Sequence, residues 1–381
     1  MVVTIVVLLI LAGISLNLVL GQNGIISRAQ DARNQTAEGQ VNTEKAINAL
    51  TDEMEDLISE NENSGNGGNS GGGSSGSTVD GVPIPAGFVY VGGTKASGLV
   101  ISDATADKEK YKGQETVGTD LQGNQFVWIP VENIADYKRT WYTGIYELSG
   151  YSENLPEDEK TSVETNKGYY IGRYEAGDQE STNSTTLRTS SSSTSNKITV
   201  KAGQAPYNYV TRTQAQSLAE GFSGKQGYTS VKSKLVSSYA WDTAIEFIQK
   251  TNSDYGNSSE EGNYKDSPTF TYTGIADTEK NKQTKANGTS TLIPTGQTTA
   301  VNNIYDMGGN VCEWTTESSS NAFPPYSPRG GNFYNNFAGY RLSSREPYWR
   351  FGQCERWHRI QAYFILVDRA FNFNCVKSYF F

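Results

Sequence analysis

The stretch NNIYDMGGNVCEWTTES, residues 302–318, decides how this chain folds, together with PRGGNFYNN at residues 328–336. In the first stretch, Asp306 and the pair Gly308-Gly309 precede an alternating run that ends at Trp314. Turn-forming residues directly before an alternating run predict a tight turn that leads into a strand.

The second stretch places a fixed positive charge, Arg329, beside two glycines that can adopt positive φ. Backbone can therefore pass where a side chain could not. We expect Trp314 to be buried. We also expect Arg329 to be a buried guanidinium that pairs with Asp306 or Glu313, because a buried arginine needs a carboxylate partner.

Together, these stretches resemble the C-terminal part of the formylglycine-generating enzyme and sulfatase-modifying factor family, whose members carry G-N-V-x-E-W-T and then R-G-G-S/N. That family has a divergent C-type lectin fold, which is shared by the target proteins of diversity-generating retroelements. On this resemblance, the structural motif comprises Asp306, Gly309, Asn310, Glu313, Trp314, Arg329, Gly330 and Gly331.

The resemblance extends over residues 81–352. Four further segments are similar to the family's strands and its helix: Val82 to Gly93, Gly123 to Val131, Gly168 to Gly177 and Ser233 to Phe247. The implied fold class is α+β, a C-type-lectin-like head with small antiparallel sheets, two helices and long loops.

Spacing places those two helices. Thr211 and Gln214 have the spacing of a capping box, and the pair Ser237-Ser238 supplies a cap for a second helix. The apolar residues that follow each cap recur at helical spacing, namely Ala215, Leu218, Ala219 and Phe222, then Trp241, Ala244, Ile245 and Ile248. Both stripes are expected to be core faces packed on a sheet.

Composition limits the partners of this chain. The formal net charge is −9 and no basic run occurs, which argues against nucleic acid, because phosphate binding relies on Lys and Arg. Three cysteines give neither a paired framework nor a zinc spacing. We therefore expect no metal and no cofactor.

The first 60 residues differ from the head. Residues 1–27 carry no charged side chain and are long enough to cross a bilayer core of about 30 Å. They precede an amphipathic stripe formed by Ile47, Leu50, Met54 and Leu57. This arrangement resembles type IV pilins and their pseudopilin relatives, which implies a membrane-held, self-assembling helix with the head outside the cell. A cleaved signal peptide and a plain anchor are the alternatives.

Residues 61–80, rich in Gly, Ser and Asn, predict a flexible tether between this helix and the head.

Residues 353–381 contain no glycine, although the whole chain has 39. They also lack the G-F-R-P strand with which the similar family ends. If residues 353–366 are written with one permissible set of codons and read one nucleotide later, the shifted frame encodes that motif. We therefore hypothesise a reading-frame shift near Gly352. The alternative is a genuine apolar tail that pairs with the sheet or with a partner.

Catalytic residues are sparse. His358 is the only histidine, so a catalytic triad or a multi-histidine metal site has no second histidine. The formylglycine-generating enzymes use a copper-binding cysteine pair just after R-G-G-S, and residues 332–345 contain no cysteine. We expect no enzyme activity, and we expect Cys312 to be a buried small hydrophobe. An oxidoreductase of the formylglycine-generating type is the alternative.

The segment after Arg329 has the composition of a binding surface, with aromatic, amide, hydroxyl and arginine side chains. In retroelement target proteins, the same stretch is the variable, ligand-contacting surface. The candidate ligand-binding residues are Asn332, Tyr334, Asn335, Asn336, Tyr340, Ser343, Ser344, Arg345, Tyr348, Trp349 and Arg350. The sequence thus predicts an adhesin- or receptor-like protein at the cell surface that binds a protein or a glycan. A minor pilin with a mainly structural role is a further alternative.

Overall fold

The structure is a computed structural model. It describes residues 77–140, 150–180, 198–208, 210–257, 262–273, 282–320, 326–336 and 342–345, and the backbone of 358–359 and 367–368. The predicted membrane span, the amphipathic stripe and most of the tether lie outside the described residues. Within the described part of the chain, no helix is both long and apolar enough to cross a membrane.

Short strands and three α-helices make up the described part. The strands are β1 (Thr78–Val79), β2 (Val82–Pro83), β3 (Val89–Gly92), β4 (Val100–Ser102), β5 (Gln125–Pro130), β6 (Tyr151–Ser152), β7 (Gly168–Gly172), β8 (Gly177–Asp178), β9 (Ile198–Thr199), β10 (Ala205–Pro206), β11 (Val231–Lys232), β12 (Phe270–Thr273), β13 (Lys282–Lys285), β14 (Cys312–Ser319), β15 (Tyr326–Arg329), β16 (His358–Arg359) and β17 (Val367–Asp368). The helices are α1 (Glu157–Asn166), α2 (Arg212–Lys225) and α3 (Ser238–Gln249). Short 3-10 turns occupy Thr105–Asp107, Ile134–Asp136 and Tyr255–Asn257.

One antiparallel sheet has the strand order β3-β4-β5-β7. Its strand β5 is apolar along most of its length because both of its faces are covered. Phe126 and Trp128 belong to one cluster of the core, which also contains the α2 stripe. Val127 and Ile129 belong to a second cluster, which contains the α3 stripe. The sheet therefore lies between the two predicted helices.

The motif strand β14 forms a second sheet with β15, β16 and β6. It pairs antiparallel with β15, so that Glu313 lies opposite Arg329 and Trp314 opposite Pro328. It pairs in parallel with β16, and β17 pairs with β11. The backbone of the tail thus pairs once with this sheet, at β14, and once with β11, in a separate two-stranded sheet. The reading-frame shift stays a prediction that the gene sequence tests.

Both predicted helices form where the spacing places them. In α2, the Thr211 hydroxyl accepts a hydrogen bond from Gln214 N, and Thr211 N donates to Gln214 Oε1, which completes the capping box. In α3, the Ser237 hydroxyl accepts from Ala240 N. Helix α1 was not predicted, because its sequence EDEKTSVETN is almost entirely polar and buries only Glu159 and Val163.

The described part of the chain is therefore a mixed α/β structure with small antiparallel sheets and few helices. The motif residues occupy the connection into β14 and the end of β15. Trp314 and Cys312 are buried, as predicted.

Candidate functional site

The turn before β14 is held by the carboxylate of Asp306. This residue has a φ of 60°, and its side chain accepts hydrogen bonds from Gly296 N at 2.6 Å and from the Thr298 hydroxyl at 3.1 Å. Both Asp306 oxygens are thus engaged with the neighbouring loop at residues 296–298. The carboxylate fixes that loop against the turn and does not take part in an ion pair with Arg329.

Asn310 is the centre of a buried hydrogen-bond network. Its side-chain oxygen accepts from Asn263 Nδ2 at 2.9 Å and from Ile293 N at 3.1 Å. Its amide nitrogen donates to the Ile293 carbonyl at 3.1 Å and to the Glu175 carboxylate. One asparagine therefore joins three separate segments to the turn. Aspartate could not replace it, because the donor to Glu175 would be lost.

Two glycines let the turn and the end of β15 approach each other. Gly309 N donates to the Gly330 carbonyl at 2.8 Å, and both glycines have positive φ, 67° and 85°. A Cβ on Gly309 would collide with the backbone of Asn263, and a Cβ on Gly330 with the Glu313 carboxylate. These positions therefore need glycine for space as well as for conformation.

Trp314 anchors β14 to the loop before α2. Its indole Nε1 donates to the Val210 carbonyl at 2.9 Å, and its ring contacts the Tyr326 ring edge-on at a centroid distance of 6.0 Å. The indole N–H is thus satisfied in the core, as a buried tryptophan requires.

The prediction that Arg329 pairs with Asp306 or Glu313 is wrong. Arg329 is buried, and its Nη2 donates to Asp242 Oδ1 at 2.5 Å. Its guanidinium lies 5.7 Å from the centre of the Trp241 ring. The reason is tertiary: α3 brings Asp242 beside the end of β15, whereas the carboxylate of Asp306 is engaged by the loop at residues 296–298.

Arg345 completes a buried charge cluster with Asp242 and Glu317. Its Nη2 donates to Asp242 Oδ2, and its Nε lies 2.8 and 2.9 Å from the two oxygens of Glu317. Arg139 donates to Glu317 from the rim of the cluster at 2.8 Å. Burial alone would lower the pKa of Arg345, but the two carboxylates outweigh it and raise that pKa. Burial lowers the pKa of Arg329, which lies within the same cluster.

The predicted ligand-binding residues do not all lie on one surface. Tyr334 and Asn336 are exposed, with 47% of Tyr334 accessible to solvent, and Asn335 is half-buried. The remaining described members are buried, which corrects the prediction that they face a ligand: Asn332, Ser343, Ser344 and Arg345. Tyr340, Tyr348, Trp349 and Arg350 lie outside the described residues.

These buried members hold the exposed ones in place. Asn332 Oδ1 accepts from Tyr334 N at 2.9 Å, and Asn335 Oδ1 accepts from Asn332 N at 3.0 Å. The Asn335 carbonyl accepts from Lys265 N at 3.0 Å. At the other end of the segment, the Ser343 hydroxyl donates to the Gly256 carbonyl at 2.8 Å. The loop at 332–336 therefore has a fixed backbone that displays Tyr334 and Asn336.

Sequence reasoning missed three residues of the charge cluster: Arg139, Asp242 and Glu317. One signal was available for Asp242, because it directly follows Trp241 in a helix whose neighbouring residues are apolar. A carboxylate among core positions indicates a buried cation nearby. Within the described ranges, no group of three or more His, Cys, Asp or Glu side chains is placed to hold a metal ion.

Comparisons with known proteins add no assignment to these residues. No protein-family model matches the chain, and no curated protein matches it significantly.

Proposed function

We propose that this protein is a surface-displayed binding protein. Its head, residues 81–352, has a non-catalytic, C-type-lectin-like fold and recognises a protein or glycan ligand through the segment at residues 332–350. Residues 1–27 hold it in the membrane, as a pilin-like helix or a plain anchor, and residues 61–80 serve as the tether that gives the head its reach.

One observation carries the proposal: an exposed tyrosine on a loop whose backbone is fixed. Tyr334 is the exposed large hydrophobic side chain among the described residues, and it lies between two asparagines that hydrogen-bond each other. Its ring packs on Phe333 with the centroids 4.4 Å apart. A pre-positioned aromatic ring loses little conformational entropy on binding, which is why tyrosine is frequent in recognition surfaces.

The position of this loop supports a recognition role over a purely structural one. The stretch from Arg329 to Arg345 begins and ends in the buried charge cluster, and within it Asn332 and Phe333 are buried while Tyr334 and Asn336 are exposed. Tyr334 and Asn336 are both exposed, so neither side chain contributes a large buried surface to the core. Exchange at these two positions can therefore change the ligand while the ends keep the fold.

The C-type-lectin-like assignment rests on the resemblance and is supported by the way the motif residues interlock. Asn310 joins the turn to three segments, and Trp314 anchors the motif strand to the loop before α2. The segments that resemble the family's strands and helix contain β3, β5, β7 and α3. A solved structure of the head, compared with known C-type lectin folds, would test this assignment.

The binding role is tested with the full chain and a matched pair of variants. Ligands are selected for the full chain from a displayed peptide library and a glycan array. Their affinities are then measured for Tyr334→Ser/Asn336→Ser and for Glu164→Ser/Thr165→Ser, which changes two exposed residues of α1. If Tyr334 is a binding hot spot, the loop variant should lose about 2 kcal/mol or more, roughly thirtyfold in affinity, while the α1 variant binds normally. Ligands that bind all variants equally would contradict the proposal.

A further inference from the structure

A groove of about 550 Å³ lies beside the motif turn, where no function has been assigned so far. Two segments form its walls, strand β12 with the residues before it and the loop that follows residue 296. Six residues define its character: Thr269, Phe270, Thr271, Gln297, Thr298 and Thr299. Its volume falls within the usual range of small-molecule sites, about 300 to 1,000 Å³. None of the residues 332–336 lines it.

The walls of the groove are fixed by hydrogen bonds to the turn and between the segments. The Thr298 hydroxyl donates to Asp306 Oδ1 at 3.1 Å, and Thr273 N donates to Gln297 Oε1 at 2.9 Å. On the other wall, the Thr269 hydroxyl accepts from Asn287 N at 3.1 Å. A groove whose walls are held before binding needs little ordering when a ligand enters.

No charged side chain lines the groove among the described residues. Two buried charges contact residues of the walls, and each is engaged by other groups: Asp306 by Gly296 N and the Thr298 hydroxyl, and the Lys285 ammonium by the carbonyls of Tyr264 and Lys265. A charged ligand entering this groove would lose water without gaining an opposite charge. The groove therefore favours a neutral ligand.

The lining also disfavours an apolar ligand. A threonine hydroxyl can both donate and accept, except that of Thr298, which donates its proton to Asp306, and the Gln297 amide adds a donor. Phe270, which is half-buried, adds an aromatic residue to the lining, with the Lys285 ammonium 5.8 Å from the centre of its ring. Hydroxyls and an amide beside one aromatic ring match a molecule with many hydroxyl groups and an apolar ring face.

We propose that this groove binds a neutral carbohydrate, independently of the loop that displays Tyr334. Thr271 and Thr299 are exposed residues, one on each of the two wall segments, and their hydroxyls are the contacts assigned to such a ligand. Replacing either by valine removes the hydroxyl but keeps the shape, and valine also suits the strand position of Thr271. These substitutions therefore alter the chemistry of the groove without altering its walls.

The test titrates the full chain with maltotetraose, cellotetraose and chitotetraose as neutral probes and with trigalacturonate as an anionic probe. Calorimetry reports binding for wild type, for Thr271→Val/Thr299→Val and for Thr165→Val, a matched threonine on α1. At least one neutral probe should bind more tightly than trigalacturonate. The double variant should bind it about fivefold more weakly or worse, because two hydrogen bonds are lost, and the α1 variant should bind it normally.

Three results would overturn the proposal: no neutral probe binds at millimolar concentration, the anionic probe binds most tightly, or the double variant binds as well as wild type. The loop variant Tyr334→Ser/Asn336→Ser separates this site from the recognition loop. It should keep its affinity for the neutral probe. Loss of affinity in that variant, with the groove variant unaffected, would assign the sugar to the loop and refute the groove.

Discussion

Arg329 and Arg345 bind opposite oxygens of the same Asp242 carboxylate, although residues 330–344, with most of the candidate recognition segment, lie between them. All three side chains are fully buried. One helical aspartate therefore fastens both ends of the segment to the core. The exposed side chains of Tyr334 and Asn336 take no part in this attachment, so we expect them to tolerate substitution without loss of the fold.

Removing Arg345 should strongly destabilise the head. In Arg345→Ala, Asp242 and Glu317 keep their burial but lose a shared cation, which costs roughly 3 to 5 kcal/mol for a buried pair. Denaturant unfolding measures the change. Lys112→Ala removes a cation from the exposed pair with Glu109 and should have little effect. Equal stability losses for the two variants would mean that the cluster does not hold the segment.

Asn310→Ala should cost at least about 2 kcal/mol, because several buried donors and acceptors lose their partner. Asn302→Ala is a close control, since Asn302 has the same φ of 49° but donates from its side chain only to the Ala96 carbonyl. The backbone strain of alanine is thus similar in both variants. The difference between their free energies of unfolding isolates the network around Asn310, and a difference near zero would show that the network contributes nothing.

Stability should fall with rising pH because of Glu159. Burial raises the pKa of this carboxyl above its usual value of 4.5, and the hydrogen bonds from Ser237 and Tyr137 only partly oppose that shift. The folded state therefore holds the proton more tightly than the unfolded state. The stabilisation from protonated Glu159 is complete below the pKa of the unfolded state. It is lost as the pH rises through the raised pKa of the folded state.

Thermal unfolding between about pH 5 and pH 8 checks this expectation. Glu159→Gln keeps an oxygen for both hydroxyl donors but cannot titrate, so its stability should depend less on pH than that of wild type. Glu164→Gln, on the exposed face of α1, should leave the wild-type dependence unchanged. A Glu159→Gln profile parallel to that of wild type would exclude Glu159 as the cause.

The elements that the sequence could predict are those coded by local chemistry. The capping box at Thr211 and the helical spacing around Trp241 depend on residues a few positions apart, and both helices formed there. The burial of Trp314 followed from its place in an alternating run. Helix α1 was not predicted, because its polar sequence has almost no apolar residues at helical spacing.

The partners of the buried charges could not be predicted, because tertiary packing selects them. Asp306 and Glu313 are close to Arg329 in sequence or across the strand pair, yet the pairing carboxylate comes from α3. The same limit applied to Arg345. The composition of the surrounding segment suggested a recognition surface. The chain returns to the core at Leu342, however, so Arg345 is buried.

The N-terminal prediction is tested by fractionation. The full chain should be found in the membrane fraction, because residues 1–27 form an uncharged apolar stretch of bilayer-spanning length. Deletion of those residues should release the rest of the protein. A full chain that stays in the aqueous fraction would contradict the anchor.

The central claim is that Arg329 and Arg345 hold the fold while the exposed Tyr334 and Asn336 between them are available to a ligand. The most direct test compares the free energies of unfolding of Tyr334→Ser/Asn336→Ser and Arg345→Ala in the full chain. The loop variant should lose no more than about 1.5 kcal/mol, since it gives up one aromatic contact with Phe333. The arginine variant should lose roughly 3 to 5 kcal/mol. A loop variant that unfolds as readily as the arginine variant would contradict the claim, because its residues would then belong to the core.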